Sequence, residues 1–156
     1  MDLEKIYEIR GRNGDIKIFL SDEAKNDLKD SDGVLVILFY NGNLVMTYHP
    51  KRRSWEFPLG TREEDETVLD CVIRKAYEAT GAELFKVQSI GYYIIKEENE
   101  TLKYAIFIGK VEKFTPKPRW SETDLVKLFD KLPENISDDN NVYGIIIDYI
   151  KKYYKE

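Results

Sequence analysis

The longest unbroken apolar run in the chain is Val34-Leu35-Val36-Ile37-Leu38-Phe39-Tyr40. Both alternate sets of side chains are apolar, so the run predicts a strand covered on both faces. Asn41-Gly42 follows as a two-residue turn signal that Asn43 would lengthen, and residues 44–48 return as the paired strand. Upstream, residues 3–9, with Leu3 as their first apolar position, and residues 16–20 alternate weakly. They flank Asn13-Gly14, which predicts an N-terminal antiparallel pair. Residues 21–32 are polar and predict a short helical turn or a loop. Further on, residues 85–95 read as a strand with a break at Gly91. Residues 102–111 return as a long strand, with Tyr104, Ile106 and Ile108 on one face and Ala105 and Phe107 on the other. Pro116 and Pro118 make residues 114–124 a loop. Residues 125–129 are a short apolar segment, and residues 132–135 a turn.

Two stretches change period. Over residues 68–80, Leu69, Val72, Ile73, Ala76 and Ala79 recur at helical spacing, with Arg74, Lys75 and Glu78 largely on the other side. Thr67 is placed to cap this helix, with Asp70 three residues on, and Gly81 is placed to end it. Over residues 138–155, Tyr143, Ile146, Ile147, Ile150 and Tyr154 repeat the spacing. Strands on either side of one helix, with a second long helix at the end, predict an α/β/α sandwich around a mixed β-sheet. The 156 residues carry no internal repeat or low-complexity linker and predict one domain over residues 1–156.

Charge and cysteine content narrow the function classes. With 29 acids against 24 bases, the net charge of −5 disfavours nonspecific binding along a nucleic acid backbone. The lone Cys71 excludes an internal disulfide and reads as a packing residue of the helix. Met1-Asp2-Leu3-Glu4-Lys5 is charged, and the longest apolar run is too short to span a bilayer. A cytoplasmic protein without membrane contact is the expectation. His49, the single histidine, has no Cys, Ser or His partner in any motif and carries no catalytic expectation.

Residues 60–82 hold the chemistry. Gly60 is followed by five residues, Glu66, seven residues, and Arg74-Lys75-Ala76-Tyr77-Glu78-Ala79-Thr80-Gly81-Ala82. This resembles the signature of the Nudix hydrolase family at every spacing. Gly60, Glu66, Arg74, Glu78 and Gly81 match it by identity, whereas the family has Glu where this chain has Lys75 and Ala79. Leu59 stands where many relatives have a second Gly. Trp55-Glu56-Phe57-Pro58 looks like the family lead-in. The stretch from Ser121-Glu122-Thr123 to Leu132-Pro133-Glu134-Asn135 is similar to small bacterial members. Those members hydrolyse nucleoside triphosphates, including oxidised purine nucleotides such as 8-oxo-dGTP, or trim RNA 5′ ends. The resemblance covers roughly residues 34–150 and implies the Nudix fold.

In that family the acid after the Arg and the paired acids hold Mg2+ or Mn2+. A backbone carbonyl near the first Gly assists, often with an acid from a later loop. Carried over, Glu78 keeps one ligand position, Gly60 offers its carbonyl, and Glu122 matches the late acid. Lys75 puts an ammonium without a lone pair at the second ligand position, and Ala79 has no polar side-chain atom at the third. Glu66 and Arg74 keep the ion pair that fixes the loop against the helix, so the resemblance makes Glu78, Glu66 and Arg74 the catalytic candidates. Glu63 or Glu64 is a candidate replacement ligand; alternatively these acids and Asp65 form a solvated loop near a helix start. Lys75, Arg52 and Arg53, the last two beside Lys51, are candidates for binding phosphates or an RNA backbone, or are solvated. Trp55 either stacks on a base or packs against the signature helix.

Lost carboxylates on a kept scaffold imply a degenerate Nudix domain. It would bind a nucleotide, another phosphorylated small molecule or an RNA 5′ end, with hydrolysis impaired or lost. The alternatives are an active Mg2+- or Mn2+-dependent nucleoside triphosphate or RNA 5′ pyrophosphohydrolase, and a non-catalytic partner-binding or homodimeric domain. The eleven tyrosines and the loop around Trp120 permit the last.

Overall fold

Nine strands and two helices make up the computed structural model, which describes residues 5–11, 14–21, 28–96, 99–118, 125–136 and 141–154. The strands are β1 (Lys5–Gly11), β2 (Gly14–Leu20), β3 (Gly33–Tyr40), β4 (Asn43–His49), β5 (Ser54–Glu56), β6 (Leu59–Thr61), β7 (Ala82–Lys96), β8 (Thr101–Phe114) and β9 (Val126–Phe129). The helices are α1 (Val68–Thr80) and α2 (Val142–Tyr153). One sheet runs in the order β1-β2-β7-β8-β3-β4-β5, with β6 also on β3 and β9 also on β4. β3 and β8 run parallel, whereas the other paired strands are antiparallel, so the sheet is mixed.

The continuous apolar run is explained by the two sides of β3. Val34, Val36 and Leu38 join Cys71, Val72 and Ala76 of α1 in one core layer. Leu35 and Ile37 join Met46, Ile106, Ile108 and Ile146, Ile147 and Ile150 of α2 in the other. All five β3 residues are at most 1% exposed, because each face of the strand has its own helix to bury against. The result is the expected α/β/α sandwich. Asn41 and Gly42 both take positive φ, 49° and 82°, as a two-residue hairpin turn requires, and Asn43 already pairs with Tyr40.

The expected break at Gly91 is a bulge in one continuous strand. The β7–β8 register shifts between Ser89 and Gly91, and Gly91 adopts a φ of 143°. A Cβ there would run into the Phe19 carbonyl of the neighbouring β2. β6 was not visible as a strand in the sequence, and the short apolar segment at 125–129 is the edge strand β9, paired with β4.

α1 is capped as expected. The Asp70 N–H donates to Thr67 Oγ1 at 3.0 Å, and Gly81, left-handed at φ 75°, donates to the Tyr77 carbonyl at 2.8 Å. Its buried side differs from the expected one. Cys71, Val72, Ala76 and Thr80 face the sheet, whereas Leu69 and Ile73 are 50% and 51% exposed. Small side chains let the helix lie close on β3, and the larger apolar ones are left on the outer face. α2 buries the expected Tyr143, Ile146, Ile147 and Ile150. The Phe57 N–H donates to Tyr143 Oη at 3.2 Å, which ties α2 to the link between β5 and β6. Leu3, Asn13, Trp120, Glu122, residues 138–140 and, of the polar stretch at 21–32, residues 22–27 lie outside the described residues. Among the described residues no helix is long and apolar enough to cross a membrane.

Candidate functional site

Arg74 is the centre of the site. It projects from the middle of α1 toward the loop that joins β6 to the helix. Its Nε donates to Glu66 Oε2 at 2.6 Å and its Nη2 to Glu66 Oε1 at 2.9 Å, a bidentate pair. Nη2 also donates to the Thr61 carbonyl at 3.0 Å, and Nη1 to Glu78 Oε2 at 3.1 Å. Glu63 stands 3.7 Å from Nη1 with its side chain 70% exposed. Three carboxylates therefore converge on a guanidinium. The Arg74 hydrogen bonds hold the Glu66 carboxyl down at about 2, against partial desolvation, and the same pairing raises Arg74 above its ordinary value. Cys71 lies beneath this group; burial first, then the Glu66 charge, pushes its thiol up to about 11. It is a packing residue, not a nucleophile.

The loop is closed by its own backbone. The Glu63 N–H donates to Glu66 Oε1 at 3.0 Å, and the Glu66 N–H donates back to the Glu63 carbonyl at 3.1 Å. Asp65 takes a φ of 66° to make the turn, and Glu64 is exposed upon it. Arg62 was missed in the sequence. Its Nε donates to the Ser31 carbonyl at 3.1 Å and its Nη1 to the Glu66 carbonyl at 3.2 Å, clamping the loop to the segment before β3. A loop arginine four residues before the matched Glu66 is the only trace of this in the sequence.

Lys75 stands next to Arg74 and shares its partner. Lys75 Nζ donates to Glu78 Oε1 at 3.2 Å, with side chains 24% and 18% exposed. Its stem lies against Gly60, where any Cβ would collide with Lys75 Cε. The close approach at Gly60 is thus made by the flexible end of a lysine and not by backbone. The Gly60 carbonyl lies over Gly33 of β3, and Leu59 beside it is 46% exposed. Both oxygens of Glu78 are hydrogen-bonded to protein cations. Ala79 is half-buried on the helix.

The structure thus brings together Gly60, Glu63, Glu66, Arg74, Lys75 and Glu78. A second group lies on the β4–β5 hairpin. Arg52 donates to Glu56 at 3.2 and 3.3 Å. Its N–H donates to Nδ1 of the buried His49 at 3.3 Å. Arg53 sits at a φ of 54° with its side chain exposed. Trp55 packs edge-on to Tyr48 and Phe129, with ring centroids 5.4 and 5.0 Å away. It belongs to the core layer of α2, so its packing partners are not those of the signature helix.

A hard divalent ion needs several oxygen ligands facing an open point. Among the described residues no group of three or more His, Cys, Asp and Glu side chains offers that. Glu66 and Glu78 are spent on Arg74 and Lys75, and the pairs cancel in charge. The described residues do not fit a divalent metal.

Comparison with known proteins places the arrangement. A family model for the NUDIX domain matches residues 29–139. YtkD of Bacillus subtilis, a candidate 8-oxo-dGTP diphosphatase, is 29% identical over 117 residues, covering 75% of this chain and 73% of that protein. The mRNA-decapping enzyme subunit 2 of Saccharomyces cerevisiae is 27% identical over 139 residues, which are 85% of this chain and 14% of that protein. A mutant of the B. subtilis pyrophosphohydrolase BsRppH superposes with a TM-score of 0.81 at 24% identity, covering 94% of this chain and 96% of that one. That likeness shows the fold.

Proposed function

This chain belongs to the Nudix family, and on that premise we propose that the site around Arg74, Lys75 and Glu78 binds a nucleotide or another phosphorylated ligand while hydrolysis is impaired or lost. One observation carries the reading. Glu78 is the one carboxylate left among three family ligand positions, and its two oxygens serve Arg74 and Lys75. Cleaving a pyrophosphate link needs an activated water and relief of phosphate charge, and a bound divalent ion supplies both. Lys75 offers charge but cannot ionise a water at neutral pH. The similarity to YtkD supports a nucleoside triphosphate as the ligand class, and that to the decapping subunit supports an RNA 5′ end within the same class.

Release of phosphate or pyrophosphate from nucleoside triphosphates, 8-oxo-dGTP, dinucleoside polyphosphates and 5′-triphosphorylated RNA tests this, with Mg2+ and with Mn2+. The expected result is binding without turnover, and turnover gained when Lys75→Glu and Ala79→Glu are introduced together. Robust turnover by the wild type, lost in Glu78→Gln, would instead establish an active metal-dependent pyrophosphohydrolase with a displaced site. That second reading is favoured by Glu63, an exposed loop acid already beside the cluster. A homodimer or partner-binding role draws on Leu69, Ile73 and Tyr77, which line the exposed face of α1. A monomer by light scattering counts against the homodimer.

A further inference from the structure

We propose that the Lys75 ammonium is the resident cation of this site, so that the site takes the phosphates of its ligand without a divalent ion. This inference rests on the reading that the site binds a phosphorylated ligand, and it specifies the chemistry of that binding.

Two contacts locate the ammonium. The end of the Lys75 stem lies against the bare backbone of Gly60, in the space a Cβ there would enter. Glu78 Oε1 holds Nζ at 3.2 Å, three residues along the same helix face. The ammonium therefore lies between the glycine loop and the retained carboxylate, where the family resemblance puts the metal. An ammonium has three donors. Glu78 takes one, and among the described residues no acceptor takes the other two. Phosphate oxygens can fill those two without breaking the bond to Glu78.

Charge points the same way. Arg74 and Lys75 balance Glu66 and Glu78, and Glu63 is mostly in water. A dication approaching Glu78 would meet an ammonium and a guanidinium at contact distance, and the one further carboxylate, Glu63, stands by the same guanidinium with its side chain 70% exposed. An anion meets the Lys75 ammonium, which has donors beyond the one it gives Glu78. The ligand class is accordingly the pyrophosphate segment of a nucleotide or RNA 5′ end.

Calorimetric titration with inorganic pyrophosphate and with dGTP, in EDTA and in Mg2+, reads this directly. The wild type is expected to bind in EDTA, with no gain from Mg2+. Lys75→Met is expected to lose about tenfold or more in affinity, the worth of one charged hydrogen bond. Lys75→Arg, which keeps the charge, is expected to stay within a few-fold. Unfolding midpoints of the variants check that the scaffold persists. Binding that appears only with Mg2+, or that survives Lys75→Met unchanged in EDTA, overturns the resident cation and leaves the ligand-binding reading standing. No binding of either probe under either condition overturns the ligand-binding reading itself, and this inference with it.

Discussion

Glu66 and Arg74 show how a single ion pair orders the loop on which the site depends. The carboxylate is 12% exposed and accepts both arms of the guanidinium. Its folded value of about 2 lies below the ordinary 4.5. The pair's contribution is therefore fully present above about pH 4.5 and is lost as pH falls through about 2. Glu66→Gln is expected to cost on the order of 2 kcal/mol at pH 7, because the guanidinium loses its charged partner. The gap between variant and wild type should narrow as pH falls from 4.5 toward 2. Urea unfolding of both proteins at pH 7 and pH 3 checks this; an equal gap at the two pH values would sink it. These residues were legible in the sequence, since Gly60, Glu66, Arg74 and Glu78 match the family spacing. The helical spacing of Arg74, Lys75 and Glu78 already allowed both Glu78 pairs, at i,i+4 and i,i+3. What spacing could not convey was that Arg62 locks the loop, because its bonds to the Ser31 and Glu66 carbonyls depend on how the loop closes against the segment before β3.

The helix α1 was legible in its ends and, at Val72 and Ala76, in its buried side, but not at Leu69 and Ile73. Thr67 and Gly81 act through hydrogen bonds to their own neighbours, so local sequence suffices for them. The buried side is decided by the distance to β3. Val72 and Ala76 are buried as expected, Cys71 and Thr80 join them, and Leu69 and Ile73 are left outside; a reading weighted toward large apolar residues turns the helix part of the way round. This difference has a measurable consequence. Leu69→Gln and Ile73→Gln are expected to change stability by no more than about 0.5 kcal/mol, as surface substitutions do. Ala76→Leu, which adds volume at a fully buried position, is expected to cost about 1–3 kcal/mol. Thermal unfolding of the three variants distinguishes the two phases. A large loss at Leu69 or at Ile73 would restore the apolar side that the spacing predicted, which shares only Val72 and Ala76 with the observed one.

Across the whole molecule, what remained hidden is nonlocal. The hairpin of β3 and β4 is set by Asn41-Gly42 and was plain, but the parallel pairing of β3 with β8, the docking of β6 on β3 and that of β9 on β4 join distant segments. These pairings make β3 the shared wall of two core layers, one under each helix. If residues 1–156 form a single domain, damage to either layer must be felt in both. Leu35 faces the α2 layer and Leu38 the α1 layer, and Leu→Ala at either buried site is expected to cost about 2–5 kcal/mol. Trp55 fluorescence, in a Trp120→Phe background, reports the α2 layer, and thiol labelling of the buried Cys71 reports the α1 layer. In denaturant the two signals are expected to change together, in the parent and in both leucine variants, because β3 cannot leave one layer and stay in the other. Labelling of Cys71 well before the fluorescence change would mean that α1, and with it Arg74, Lys75 and Glu78, opens as a separate unit. The site would then be more loosely held than the sheet beneath it.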